Sequence, residues 1–173
     1  IGVNSLHSNT TGSSNISMGD MALEKNTKGI GNVGIGQESI KNNTIGDYNT
    51  SVGHHSMTTV TTGTKNVCLG YNSNVNSETA TNQIVLGEGA NGHGDNIAVI
   101  GNTSCTAWHP GATGTVDLGS KGYQFKNIYA NNYISHVNTV DINTTNTENN
   151  PYIMNATDLL KYRNPDLDLD NRK

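Results

Sequence analysis

The side chains of this sequence that could do chemistry are few and scattered. Gly29-Ile30-Gly31-Asn32-Val33-Gly34 has the spacing of a dinucleotide-binding glycine loop. That chemistry needs a strand before the loop, a helix after it and an acid about 20 residues on. Here no helical pattern follows, and the glycines belong to columns that recur along the chain. His54 and His55 are adjacent. One of them per chain, placed on a threefold axis, would suit a metal ion. In an extended segment the pair points to opposite faces, and an exposed turn is the simpler expectation. Asp20, Glu24, Glu38 and Asp47 are isolated acids. No carboxylate pair, nucleophile–base pair or metal-spaced cluster emerges, so no catalytic residue, metal or cofactor is expected.

Three aromatic residues are better candidates for binding. Trp108, His109 and Tyr123 interrupt a sequence otherwise poor in rings. Sugar sites combine an apolar ring with a few polar groups that fix orientation, and amides abound here. The alternative is that these residues pack a junction between two modules. Cys68 falls in a column of small residues (Ser17, Gly34, Ser51, Val85), which predicts a buried, inert thiol. A bridge to Cys105 is the other arrangement; free thiols would fit a reducing compartment. Seven Asn-x-Ser/Thr sequons occur, among them Asn9, Asn15, Asn42 and Asn49. Several coincide with repeat columns, so composition explains them.

Composition narrows the class. The chain has 173 residues, of which 32% are hydrophobic and 14% charged; globular chains average roughly 45–50% and 25%. Asparagine (27), threonine (21) and glycine (20) fill the gap, and all three are weak helix formers. The net charge of −4 and the lack of a basic cluster argue against a nucleic-acid footprint. No apolar run reaches the roughly 18 residues of a membrane helix. The start at Ile1, without an initiator Met or a signal-peptide pattern, suggests a fragment or processed piece.

Self-similarity is the dominant signal. Gly2, Gly19, Gly36, Gly53, Gly70 and Gly87 are spaced 17 apart. Gly12, Gly29, Gly46 and Gly63 keep the same step, as do Asn15, Asn32, Asn49 and Asn66, with Gln83 next. Thr10, Thr27, Thr44 and Thr61 form another column. Small residues recur from Ser5 to Ala90, and Leu6, Leu23, Ile40 and Met57 follow them. Each unit contains a short stretch such as Asn32-Val33-Gly34-Ile35-Gly36, apolar at its second and fourth places. That is the period of a strand face, and the glycine ends it. A second short extended piece is expected at the small-then-apolar pair, and a polar turn closes the unit.

Such a unit cannot bury its apolar face alone, and stacking into a β-solenoid is expected to do so. Asparagines at equal places would form an amide ladder. The expected fold is all-β: a parallel β-roll of 17-residue rungs. A roll this thin buries more by packing with copies of itself about a symmetry axis. Residues 1–101 are the repeat region, since the strand at Ile97–Gly101 comes only 14 residues after its predecessor. Residues 102–130 read as a small β junction. Residues 131–173 read as an extended polar tail with a short helix near Thr157–Arg163.

Asn9–Leu23 resembles the NTTG-xx-NTAxG-xx-AL repeats of viral and phage-type fibre proteins, related to those in trimeric autotransporter adhesin heads. Asp117–Ala130 resembles the DLG…IYA segment that precedes an endosialidase-type intramolecular chaperone, with Tyr123-Gln124-Phe125 where that family tends to have Arg-Trp. The resemblance implies an intertwined homotrimer on a virion surface, or an extracellular or cell-surface fibre. Its implied partner is a host receptor, expected to be a glycan, and its chaperone would be removed after folding. Neither nucleic acid nor membrane insertion is expected. Two other readings compete: an ice-binding solenoid, from the threonine column, and a spike-borne polysaccharide depolymerase, which the isolated acids disfavour.

Overall fold

A computed structural model describes residues 1–109, 111, 118–126 and 129. Six three-residue strands follow one another: β1 (Ile16–Met18), β2 (Val33–Ile35), β3 (Thr50–Val52), β4 (Val67–Leu69), β5 (Ile84–Leu86) and β6 (Ala98–Ile100). They form one parallel sheet in sequence order. Each residue of β1–β4 pairs with the residue 17 later: Ile16 with Val33, Ser51 with Cys68. The last pairing, Ile84 with Ala98, shortens to 14. The chain is thus a β-solenoid, with one strand per turn and no helix among the described residues. At about 4.8 Å per strand, six strands span roughly 24 Å.

Contact between turns continues outside the strands. The amides of Leu23, Ile40 and Met57 donate to the carbonyls of Ser39, Ser56 and Ser73 one rung on, at 3.1, 2.8 and 2.8 Å. In this region the expected second extended piece is absent. The small-then-apolar pair lies in a turn instead, because the chain coils twice through left-handed backbone. Met21, Glu38 and His55 have φ of 56°, and Leu23, Ile40 and Met57 have φ of 51°, 47° and 54°. Left-handed backbone costs an L-residue roughly 1–2 kcal/mol, and a β-branched residue such as Ile40 adopts it rarely. Burial offsets the cost. Leu23, Ile40 and Met57 are fully buried, worth roughly 1.5–3 kcal/mol each.

These side chains are the core, together with the inward strand residues. Ser17, Gly34, Ser51, Cys68 and Val85 point in, opposite the small column Ala22, Ser39, Ser56, Ser73 and Ala90. Stacking therefore does not bury the apolar second and fourth places of the strands. With Leu23, Ile40 and Met57 inside, the remaining interior is too narrow for them, so small residues fill it and the large strand residues face outward.

Two compact units divide the chain, Ile1–Pro110 and Gly111–Lys173. In the second, Ser120 and Tyr123 exchange backbone hydrogen bonds of 3.1 and 2.9 Å in a tight turn. The proposed tail 131–173 and its short helix lie outside the described residues.

The glycine ending each strand is demanded by the rung spacing. Gly36 has φ +123°, and a Cβ there would lie 2.5 Å from the carbonyl oxygen of Gly53. Gly36→Ala should therefore destabilise the solenoid by more than about 1 kcal/mol, read by urea denaturation. Gly111→Ala, where a Cβ meets nothing within 4 Å, should leave the midpoint unchanged.

Candidate functional site

The feature that most needs explaining is the outer face of the sheet. Val33, Thr50, Val67 and Ile84 form one outward column, between Ile16 and Ala98, and Met18, Ile35, Val52, Leu69, Leu86 and Ile100 form the other. Thr50 is the one polar residue among these twelve, and none is charged. Several are plainly exposed in the single chain, including Ile16 at 53% and Ile84 at 42%. Polar residues flank the face on both sides: Asp20, Gln37, His54 and Glu88 beyond the strand ends, Ser14, Lys65 and Asn82 before the strand starts. An apolar centre inside a polar rim is the anatomy of a protein interface.

An amide ladder at the strand starts ties successive rungs together. The Oδ1 atoms of Asn15, Asn32, Asn49 and Asn66 accept the backbone N–H of Asn32, Asn49, Asn66 and Gln83 at 2.8–3.1 Å. Their Nδ2 groups donate to the carbonyls of Gly29, Gly46, Gly63 and Ala80 at 2.7–2.8 Å. One amide thus ties its own strand to the next and to the closing turn. A second ladder, which the sequence reading did not single out, runs through Asn9, Asn26 and Asn43. Asn26 and Asn43 each donate to the preceding Oδ1, at 2.9 and 2.8 Å. Its signal was the same 17-residue spacing.

Both ladders end where the repeat changes, the second at a residue with no side-chain donor and the first at the shortened step. Val60 follows Asn43 in its column, and Ile97 follows Gln83 after the short step. Asn43 Oδ1 and Gln83 Oε1 are accordingly buried without a hydrogen-bond partner.

The individually proposed residues separate. Trp108 and His109 lie in the first unit and Tyr123 in the second; Trp108 is 65% exposed. His54 and His55 do not point to opposite faces. They occupy a turn, and the left-handed backbone of His55 brings the rings into a stack with centroids 4.1 Å apart. Tyr71, one rung on, stacks on His54 at 5.5 Å. The Gly29–Gly34 segment runs from a turn into β2, with a further turn after it. The hydroxyls of Thr10, Thr27 and Thr44 donate to carbonyls of the next rung at 2.9–3.0 Å, so they serve the stack. Glu24, Glu38, Lys41 and His55 form a surface ion-pair network with separations of 3.6–3.7 Å, an arrangement that contributes little to stability in solvent.

Cys68 and Cys105 are both free. Burial pushes the Cys68 thiol up to about 12, so it stays protonated and unreactive. No protein-family model, curated protein or solved structure matches this chain.

Two predictions follow from this geometry. Asn49→Ala strands the Gly63 carbonyl and the Asn66 amide in the interior and should cost about 3 kcal/mol or more, whereas Asn15→Ala, at the half-buried first rung, should cost about 1 kcal/mol; chemical denaturation of both variants reads the gradient. In thiol labelling of the native protein, one equivalent should react quickly, at exposed Cys105. The second, at Cys68, should react only after denaturant is added.

Proposed function

We propose that this chain is a structural and adhesive fibre segment that forms a homotrimer through its outward apolar sheet face. The fibre stands on a virion or cell surface and attaches it to a host receptor, a glycan. The observation that carries the self-association is the two-column apolar face. Parallel sheets occur almost only with both faces covered. Here one face covers the solenoid's own narrow core, and the other offers Ile, Val, Leu and Met to solvent in the single chain.

Several features favour copies of the chain as the cover. The face repeats every rung, so a partner with the same repeat can match it along its whole length. It carries no charge that would select an unlike partner. Three-residue strands make a narrow strip, and three such strips can close around an axis with no strand left outside. The resemblance to viral fibre repeats and adhesin heads supports the number three and the attachment role.

Light scattering on a sizing column should give about three times 18.4 kDa. Val52→Lys with Leu69→Lys places two charges on the face at side chains already exposed in the single chain. The double variant should elute as a folded monomer. An unchanged trimer mass in that variant would exclude this face as the interface, and a monomeric wild type would overturn the trimer.

A further inference from the structure

The apolar face leaves the other sides of the solenoid free, and one of them is dented where the repeat changes. In the second to fourth rungs the residue after the small column is apolar, left-handed and buried: Leu23, Ile40 and Met57. At the fifth rung that position is Asn74, whose backbone is extended and forms a parallel bridge with Asn91. Val75, one residue later, takes over the buried role. Asn74 and Asn91 are thereby released from the core column and stack one above the other on adjacent rungs.

The dent is an open cavity of about 290 Å3 lined by Thr59, Asn72, Asn74, Gly89, Ala90 and Asn91. Its frame is fixed. Asn74 Oδ1 accepts the Thr59 N–H at 3.0 Å, and its Nδ2 donates to Thr58 Oγ1 at 3.0 Å. The Asn74 N–H donates to the Ala90 carbonyl at 2.9 Å, and Gly92 N–H donates back to Asn74 at 2.8 Å. The amides of Asn72 and Asn91, in contrast, make no side-chain hydrogen bond among the described residues. Gly89 and Ala90 contribute almost no side chain. Tyr71, immediately before Asn72, is exposed and stacks on His54.

We propose that this cavity is a binding site for a neutral pyranose. A sugar hydroxyl both donates and accepts, and so does a carboxamide, which offers two N–H donors and a carbonyl acceptor in one plane. Three amides and a threonine around a small floor therefore match a ring bearing several hydroxyls. No lining residue is charged, so a sulfated or carboxylated sugar would find no counter-charge there. The volume lies at the small end of ligand sites, which run roughly 300–1,000 Å3, and suits a single ring. The frame is ordered before binding, which lowers the entropic cost of capture.

This inference rests on the adhesive reading and names its ligand class and place. The test uses the full chain on an array of neutral oligosaccharides ending in glucose, galactose, mannose or N-acetylhexosamine, with sialylated and sulfated glycans alongside. Its variant is Asn72→Gly with Asn91→Ala. Glycine keeps the left-handed backbone of Asn72 (φ 52°), and Gly89 already holds the same column, so thermal melting and mass should match the wild type. Binding to a neutral terminal sugar should fall at least tenfold in the double variant. Neutral-glycan binding that survives the double substitution would overturn this site and leave the adhesive reading standing. Binding confined to acidic glycans would overturn the site in the same way. Binding to no glycan at all would overturn both the site and the glycan-receptor reading.

Discussion

The distance between successive rungs is the constraint on which everything else depends. Parallel strands lie about 4.8 Å apart, and the chain must return to the same place after each circuit. Once the circuit is 17 residues long, every atom faces its own equivalent in the next turn. A side chain is then useful if it can bond to a copy of itself. Asparagine meets that condition, because one amide carries both a donor group and an acceptor. Asn32, Asn49 and Asn66 are completely buried, yet their oxygens and nitrogens are satisfied by the rungs on either side. Leucine at those positions would leave the carbonyl of the closing turn and the amide of the next strand unpaired, each costing about 1–3 kcal/mol. The asparagine columns are thus the consequence of a core built from hydrogen bonds as much as from apolar contact.

The same constraint turns the sheet inside out. A coil of 17 residues encloses space for one apolar column, that of Leu23, Ile40 and Met57, and for small residues opposite it. The strand's inward position accepts Ser, Gly, Cys or, at the largest, Val. Its neighbours on either side can then be large only by facing outward. This leaves a hydrophobic strip open in the single chain, and in the proposed trimer the stability of the rung and the association of the chains are two parts of one burial problem. A wider coil would have room to bury such side chains within one chain.

Much of this was legible in the residues. The glycine and asparagine columns fixed the period, the strand positions, the parallel register and the shortened last step. Cys68 could be placed in the interior from its column-mates alone. Other features were not legible. Period-two alternation says that two faces differ, and it does not say which face is inside; here the small-residue face won, since the interior is narrow. The left-handed turns were hidden because Leu, Ile and Met carry no preference for them, and only rung-to-rung packing imposes that backbone. The histidine pair lies in the exposed turn expected for it, but the stacking of its rings was hidden for the same reason, since the left-handed backbone of His55 brings it about. The aromatic candidates Trp108, His109 and Tyr123 were chosen for being rare, which is a statement about composition and carries no geometry.

Departures from the repeat are where a uniform rod acquires distinct places. Val60 ends one ladder and Ile97 the other, and each leaves a buried oxygen unanswered. Such a loss is local because every rung bonds mainly to its neighbours, so stability is nearly a sum over adjacent pairs. A rung can therefore change its turn without unravelling the others. At Asn74 the change moves an apolar contact by one residue, to Val75, and keeps the backbone bonds to the next rung through Ala90 and Gly92. The core keeps a buried apolar residue, the smaller Val75, while the surface gains a recess with fixed polar walls. In a solenoid, then, a one-residue slip in the repeat suffices to open a recess, provided that the backbone bonds between rungs hold their register.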